Sequence, residues 1–329
     1  MVCIETGSSN PAINLAFEEY FLKGKDLGED VFMLWQSEPA IVIGRFQNLW
    51  EETNFHFAED HNIQIIRRMS GGGAVYHDAG NLCFSFILQN VTPDRFNKVA
   101  YIQPIVNALG QLGIRAEISK RNDLFIAGKK FSGNAMAYHK NRLLFHGTLL
   151  FDTDLEILEK ALSKPAFQIE SKGVKSVKSS VTNIKQYISK EMDITQFRQQ
   201  LTQLIFAGKP AVYYHPSHED QDSIQNLVES KYLTWDWNFG NSPSTTIKHI
   251  GQFSGKELEI FLELESGCIK SCQLSGKIFR LGETTEIEQL LLKTRYMYSD
   301  ILAVLKSRGL KKYFQTNSEV ELAHCIMGT

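Results

Sequence analysis

The chain has 329 residues, 43% of them hydrophobic, and its 35 Lys and Arg nearly balance 37 Asp and Glu, for a formal net charge of −2. At roughly 150 residues per domain this suggests about two domains, with enough apolar residues for a sizeable core. A charge so near zero argues against bulk nucleic-acid binding, and no apolar run approaches the ~20 residues of a membrane span, so any partner is expected to meet a local patch.

The opening MVCIETGSSNPAINLAFEEY lacks a basic leader, and acids interrupt its apolar positions, so no signal peptide is expected. The five cysteines (Cys3, Cys83, Cys268, Cys272, Cys325) are scattered, and the Cys268–Cys272 spacing has no second pair and no His cluster near it. They read as reduced thiols of a cytoplasmic protein, not as a zinc site. SNPAINLAFEEYFLKG predicts a helix: Asn10 can cap it, Pro11 suits its first position, and Leu15, Ala16 and Tyr20 make an apolar stripe. DVFMLWQ and AIVIG read as short buried strands, and NIQIIRR as another that runs straight into glycines. GAVYH and NLCFSFIL are strands around the turn DAGN. A helix is predicted over FNKVAYIQPIVNALGQLG despite Pro104, ending near Gly113.

Between Arg115 and Leu155 four strands are expected, with turns at Lys120–Asn122, Ala127–Gly128 and Lys140–Asn141, and DLFIAGKKFSG as a tight hairpin turning on Gly128. Helices follow over Leu155–Ala161 and Ile194–Phe206. The fold class is therefore α+β, a mixed sheet flanked by helices. WDWNFGNSPSTT ends in a polar run, read as a linker over residues 241–246. Beyond it come strands HIGQFS, ELEIFLELES and GCIKSCQLSG and helices over Glu286–Lys293 and Tyr298–Lys306. The expected division is residues 1–240, a linker at 241–246, and a small α+β domain over 247–329.

The chemistry concentrates in RRMSGGGAVYHDAGN, residues 67–81. Ser70, Gly71, Gly72, Gly73 and Ala74 make a loop whose bare backbone permits positive φ and close approach, so that successive N–H groups can cradle an anion; a plain glycine-rich turn is the alternative. It is neither a P-loop nor a dinucleotide fingerprint, because the flanking pattern fits neither. Arg67 and Arg68 end a strand and should face opposite ways, so one can reach over the loop, while Arg67 reads equally as a solvated edge charge. In RNDLFIAGKKFSGNA, Lys129 and Lys130 alternate faces after the turn, and an inward lysine calls for an anionic partner. Asp123 lies across that hairpin and can hold Mg²⁺, anchor a cation or cap the turn. His146 in LLFHGTLLF, and His77 before Asp78, read as core or turn residues as readily as ligands. Two cations, an amide nest and a carboxylate suit a reaction between two anions, such as a carboxylate attacking a phosphate, where fixed charge does the catalysis.

RRMSGGGAVYHDAGNLCFSF, NDLFIAGKKFSGNAM, FHGTLLFDTDL and GVKSVKSSVTNI, with the earlier NLAFEEY and IVIGRFQN, resemble the lipoate–protein ligase A family in order and spacing. The resemblance runs from about residue 14 to 240, and the remainder looks like the family's accessory domain. It implies a fold related to biotin–protein ligases and a two-step reaction. Lipoate (and octanoate) and Mg·ATP would give lipoyl-AMP, from which a lysine of a lipoyl domain takes the acyl group. The acceptors it implies are 2-oxoacid dehydrogenase acyltransferase subunits or the glycine-cleavage H protein. It assigns nucleotide contact to Arg68, loop contacts to Gly73, Ala74, Val75 and Tyr76, the essential lysine to Lys130, the NDL aspartate to Asp123, and the acyl pocket to His77 and His146. A thioester-forming octanoyltransferase or amidotransferase is the nearest rival; it would need a cysteine, and Cys83, the thiol in the motif region, reads as core. A biotin ligase and a binding module without turnover are the further alternatives.

Overall fold

The computed structural model describes residues 1–91, 97–276, 283–307 and 318–328. They form two compact units, each discontinuous in sequence. The first comprises Met1–Arg45, Ala58–Leu162 and Ser176–Thr234; the second comprises Phe46–Phe57, Ser163–Lys175 and Trp235–Thr329.

In the first unit the helix Pro11–Glu19 starts as its sequence requires, with the Asn10 side chain accepting from Ala12 N and Pro11 at the first position. The strands are β1 (Val2–Ile4), β2 (Val31–Trp35), β3 (Ala40–Ile43), β4 (Gln64–Arg67), β5 (Val75–His77), β6 (Asn81–Leu88), β7 (Glu117–Ile118), β8 (Leu124–Ile126), β9 (Lys129–Ser132), β10 (Asn134–His139) and β11 (Arg142–Leu150). They build a mixed sheet in the order β1-β2-β6-β11-β10 and two three-stranded sheets, β4-β3-β5 and β7-β8-β9. The fold is α+β, as expected. Where four strands were predicted after Arg115 there are five: the run KKFSGNAMAYH divides at Gly133, β9 pairing with β8 and β10 with β11. The hairpin turn is placed as predicted. Ala127 and Gly128 both take positive φ, 49° and 76°, the backbone that a two-residue hairpin demands.

Alternation along the central strands separates two faces. Phe32 and Leu34 on β2, Phe84 and Phe86 on β6, and Phe145 on β11 join Ile102, Ile105, Leu109, Phe197 and Leu201 in one core. The latter five come from the helices Lys98–Gln111 and Ile194–Ile205. The predicted start of the first helix, Phe96, lies outside the described residues. Pro104 is inside that helix, which ends before Gly113 (φ 85°), where Ile114 N reaches back to Leu109 O. The opposite face of β2, β6 and β11 carries Trp35, Cys83, Ser85 and His146, with Ser85 directly paired to His146. Polar side chains on a buried face must find partners, and these supply the site.

In the second unit β12 (Gln168–Ser171), β13 (Thr245–Phe253), β14 (Lys256–Glu265) and β15 (Cys268–Ser275) form an antiparallel sheet. Thr245 and Thr246, assigned to the linker from sequence, are instead the first residues of β13, paired to both β12 and β14. Helices Glu283–Leu291, Tyr298–Ser307 and Ser318–Met327 complete it. Among the described residues no helix is long and apolar enough to cross a membrane.

Candidate active site

β4 and the residue after it deliver both arginines to buried positions. Arg67 is fully buried and donates to Gly44 O (3.0 Å) and Arg45 O (3.2 Å), so it is not the solvated edge charge that the sequence allowed. Arg68 faces the glycine loop. Its Nη2 donates to Gly71 O (2.6 Å) and Gly73 O (2.7 Å), Nη1 to Val42 O (2.9 Å), and Nε to Ser70 Oγ (3.0 Å). Both guanidinium pKa values are lowered to about 10, Arg67's by burial and then by the neighbouring Arg68 charge, Arg68's by burial that Glu18 partly offsets.

This geometry gives the loop a polarity. In a trans peptide the C=O and the next N–H point in opposite directions. Drawing the Gly71 and Gly73 carbonyls onto Arg68 therefore turns the N–H groups of Gly72 and Ala74 away from it. Ala74 N donates to Ser176 Oγ (3.0 Å). Gly72 takes φ 91°, a conformation that costs other residues dearly. Gly44 lies against the loop: a Cβ there would sit 2.2 Å from Gly72 O.

The lysine hairpin is equally constrained. Lys130 N donates to Ser180 O (2.8 Å) and Lys130 O accepts from Thr182 N (3.0 Å), so the backbone is held on its outer edge. The Lys130 ammonium lies 3.1 Å from Asp123 Oδ1, which is the cation-anchoring alternative for that carboxylate. Asp123 is positioned by a closed turn: Asn122 adopts φ 66°, Asp123 N donates to Ser119 Oγ (3.1 Å), and Ser119 N donates to Asp123 O (2.9 Å). Lys129 is exposed. The space of a Cβ on Gly133 is within 3.2 Å of the Lys130 side-chain end, and the space of one on Gly72 is 3.8 Å from Ala135 Cβ. The lysine and the glycine loop thus converge on Gly133–Ala135, and Ala135 is paired with His146. Ser132, in the same segment, has a buried hydroxyl with no protein partner.

GVKSVKSSVTNI, a motif without assigned roles in the sequence, links these halves. Ser176 touches Gly73 and Ala74, and Ser180–Thr182 pairs with Lys130. His146 is buried between Ser70 and Glu18. His77 is also buried; burial first, then the Arg68 charge, lowers its pKa to about 3, so it is neutral. Its ring meets Trp35 edge-on at 5.6 Å. Val75 and Tyr76 continue from the loop into β5, with the Tyr76 ring buried and its pKa raised to about 12 by burial. Cys83 is buried and its pKa is driven well above the ordinary thiol range by desolvation, so it is no ready thiolate nucleophile.

Two cationic side chains and an exposed amide edge over a buried polar sheet face make a site for a small anionic reactant. Residues 10–206 match the lipoyl protein ligase A/B catalytic domain, and residues 242–326 the bacterial lipoate protein ligase C-terminus. The chain belongs to the lipoate–protein ligase family. It is similar to the lipoate-protein ligase LplJ of Bacillus subtilis, 38% identical over 309 residues, covering 93% of each chain. It also resembles a T. acidophilum lipoate protein ligase solved with bound lipoic acid, 25% identical with a TM-score of 0.61, over 73% of this chain and 98% of that one. A lipoate-protein ligase A bound with ATP matches at 25% identity and a TM-score of 0.59, over 72% of this chain and 96% of that one.

Proposed function

We propose that this ligase activates free lipoate, and octanoate, with Mg·ATP to the acyl-adenylate and transfers the acyl group to the lysine of a lipoyl domain, with Lys130 and Arg68 as its catalytic cations. The observation that carries this reading is the convergence of Lys130 and the Arg68-braced loop on Gly133–Ala135. In the first step a carboxylate oxygen attacks the α-phosphorus and pyrophosphate leaves. Both reactants are anionic, so an ammonium between them offsets their repulsion. The outward Gly72 N–H and the loop from Ser70 to Tyr76 receive phosphate oxygens. In the second step the acceptor amine attacks the acyl carbon, AMP leaves, and Lys130 stabilises charge developing on the acyl oxygen. His77, neutral and beside Trp35, suits the acyl chain better than a phosphate, and His146 borders the same face.

Asp123 is a single carboxylate, and no group of three His, Cys, Asp or Glu that could hold a metal is found among the described residues. That donor set fits Mg²⁺, which binds through one or two carboxylates with substrate phosphates and water completing its shell. Bound there it would neutralise charge on the phosphates. The acceptors that suit this chemistry are lipoyl domains of 2-oxoacid dehydrogenase acyltransferase subunits or the glycine-cleavage H protein, in the cytoplasm.

The test is the intact mass of an apo lipoyl domain incubated with the protein, lipoate and Mg·ATP. A lipoyl-sized gain that requires ATP is expected. A gain from an octanoyl thioester donor without ATP, and none with free lipoate, would replace the ligase reading by acyl transfer.

A further inference from the structure

Beneath the glycine loop runs one continuous chain of buried side chains, at the centre of which stands Glu18, a residue to which the reaction above gives no role. Trp35 Nε1 donates to Ser85 Oγ (3.0 Å), and the Ser85 hydroxyl donates to Glu18 Oε1 (2.5 Å). His146 Nδ1 lies 2.9 Å from both Glu18 oxygens, and His146 Nε2 lies 2.6 Å from Ser70 Oγ. Ser70 Oγ also accepts from Arg68 Nε at 3.0 Å. Glu18 and Ser70 are each 1% exposed, and Ser85 is fully buried.

The ends of this chain restrict the directions that its hydrogen bonds take. An indole N–H and a guanidinium N–H can only donate, and a carboxylate can only accept. A hydrogen on His146 Nδ1 is donated to Glu18; with Nε2 bare, the Ser70 hydroxyl donates to it, and the Ser70 oxygen is left to accept from Arg68. Each hydrogen then has an acceptor. Protonation on Nε2 instead would aim two donors at the Ser70 oxygen and take away the acceptor of its own hydrogen. The Glu18 carboxylate therefore selects the histidine tautomer, and the tautomer determines what Ser70 offers Arg68. Ser70, His146 and Glu18 have the order of a nucleophilic triad, but an oxygen that is 1% exposed and already receives Arg68 Nε is not placed to attack a substrate.

We propose that Glu18 is a positioning residue for the nucleotide loop: through His146 and Ser70 it fixes the Arg68 guanidinium, and through that the Gly71 and Gly73 carbonyls and the outward Gly72 N–H. The inference rests on the ATP-dependent reading of the site. It is tested by calorimetric titration of Mg·ATP, without lipoate, into the full-length protein, Glu18→Gln, Ser70→Ala and the double variant. The amide introduced by Glu18→Gln would set an NH2 donor against the Ser85 hydroxyl and His146 Nδ1, which themselves donate to Glu18. This variant is expected to weaken ATP binding about tenfold, within the range for coupling through intermediary residues. KM for ATP should rise with it, while kcat at saturating ATP falls less. The penalties of Glu18→Gln and Ser70→Ala should be non-additive, because both break one chain. An ATP Kd within twofold of wild type for Glu18→Gln, or additive penalties, overturns the proposal. If Glu18→Gln does not fold, the cycle of His146→Gln with Ser70→Ala reads the same coupling, with the same two outcomes. A wild-type protein that binds no ATP would defeat the ligase reading itself, and this inference with it.

Discussion

Lys130 Nζ stands 3.1 Å from Asp123 Oδ1, with both side chains part exposed at 24% and 19%. The ammonium is thus held by a partner weak enough to exchange for another anion, since such pairs contribute little in contact with water.

Removing that ammonium should abolish function without unfolding the protein. Lys130→Ala is expected to lose both half-reactions, by roughly two to three orders of magnitude for a contact of ~2–4 kcal/mol. Lys129→Ala, on the exposed side of the hairpin, should retain activity. Lipoyl-AMP formation and transfer from preformed lipoyl-AMP, measured beside a thermal melt, check this. Near-wild-type adenylate formation by Lys130→Ala would sink its assignment.

Asp123→Asn separates two duties of one carboxylate. If it carries Mg²⁺ with the nucleotide, the magnesium concentration for half-maximal activity should rise several-fold, in keeping with loss of one of the metal's few protein ligands. If it only anchors Lys130, kcat falls and the magnesium curve stays in place. A magnesium titration of the variant distinguishes them.

Arg68→Lys should fail to rescue Arg68→Ala. The guanidinium reaches Val42 O, Gly71 O, Gly73 O and Ser70 Oγ at once, which a single ammonium cannot span. Both variants are expected to raise KM for ATP and lower kcat. An unchanged nucleotide dependence would refute the role.

Gly44→Ala tests the loop from its other side. A methyl group 2.2 Å from Gly72 O must displace backbone, at a cost of ~1–3 kcal/mol typical of overpacking. Weakened ATP binding, with only a modest loss in thermal stability, is the expected pairing of results.

His77 predicts a pH dependence. Its folded pKa, about 3, lies below the ordinary 6.5, so between these values the unfolded chain binds more protons than the folded one. Stability is then fully present above pH 6.5 and is lost as pH falls toward 3. His77→Gln should flatten the loss in urea unfolding series between about pH 7 and pH 4. An equal slope for wild type and variant would count against a buried neutral His77.

Much of this was legible in the sequence because local signals agreed with the final fold. Asn10 and Pro11 start a helix wherever they precede an apolar stripe, and Ala127–Gly128 turns a hairpin on its own. Other elements depended on distant partners. The helix His218–Leu227 has a capping box from Ser217 and Asp220, but it buries little beyond Asp220 and Ile224, so no apolar periodicity announced it. β1 is three residues long, and its register comes from β2. At the site, residue types were readable and orientations were not. Nothing in RRMS says that both arginines turn inward, or that Arg68 spends its donors on the loop's own carbonyls. Glu18 was hidden for a similar reason. In LAFEEY it reads as one of two helix acids, and only the register of β6 with β11 sets Ser85 beside His146 to meet it.

The second unit gathers its residues from three stretches of chain. Trp50 packs against Phe239 and Tyr296, the Asn48 side chain bonds to Thr245, and Lys175 pairs with Glu51. A gene cut after residue 240 would therefore not yield two self-sufficient pieces: the longer one would carry Trp50 stripped of Tyr296 and Asn48 stripped of Thr245, both left in the shorter. Any attempt to express this protein as complementing fragments has to divide it elsewhere, or accept an aggregation-prone half whose exposed tryptophan would report, by its fluorescence, when the missing fragment returns.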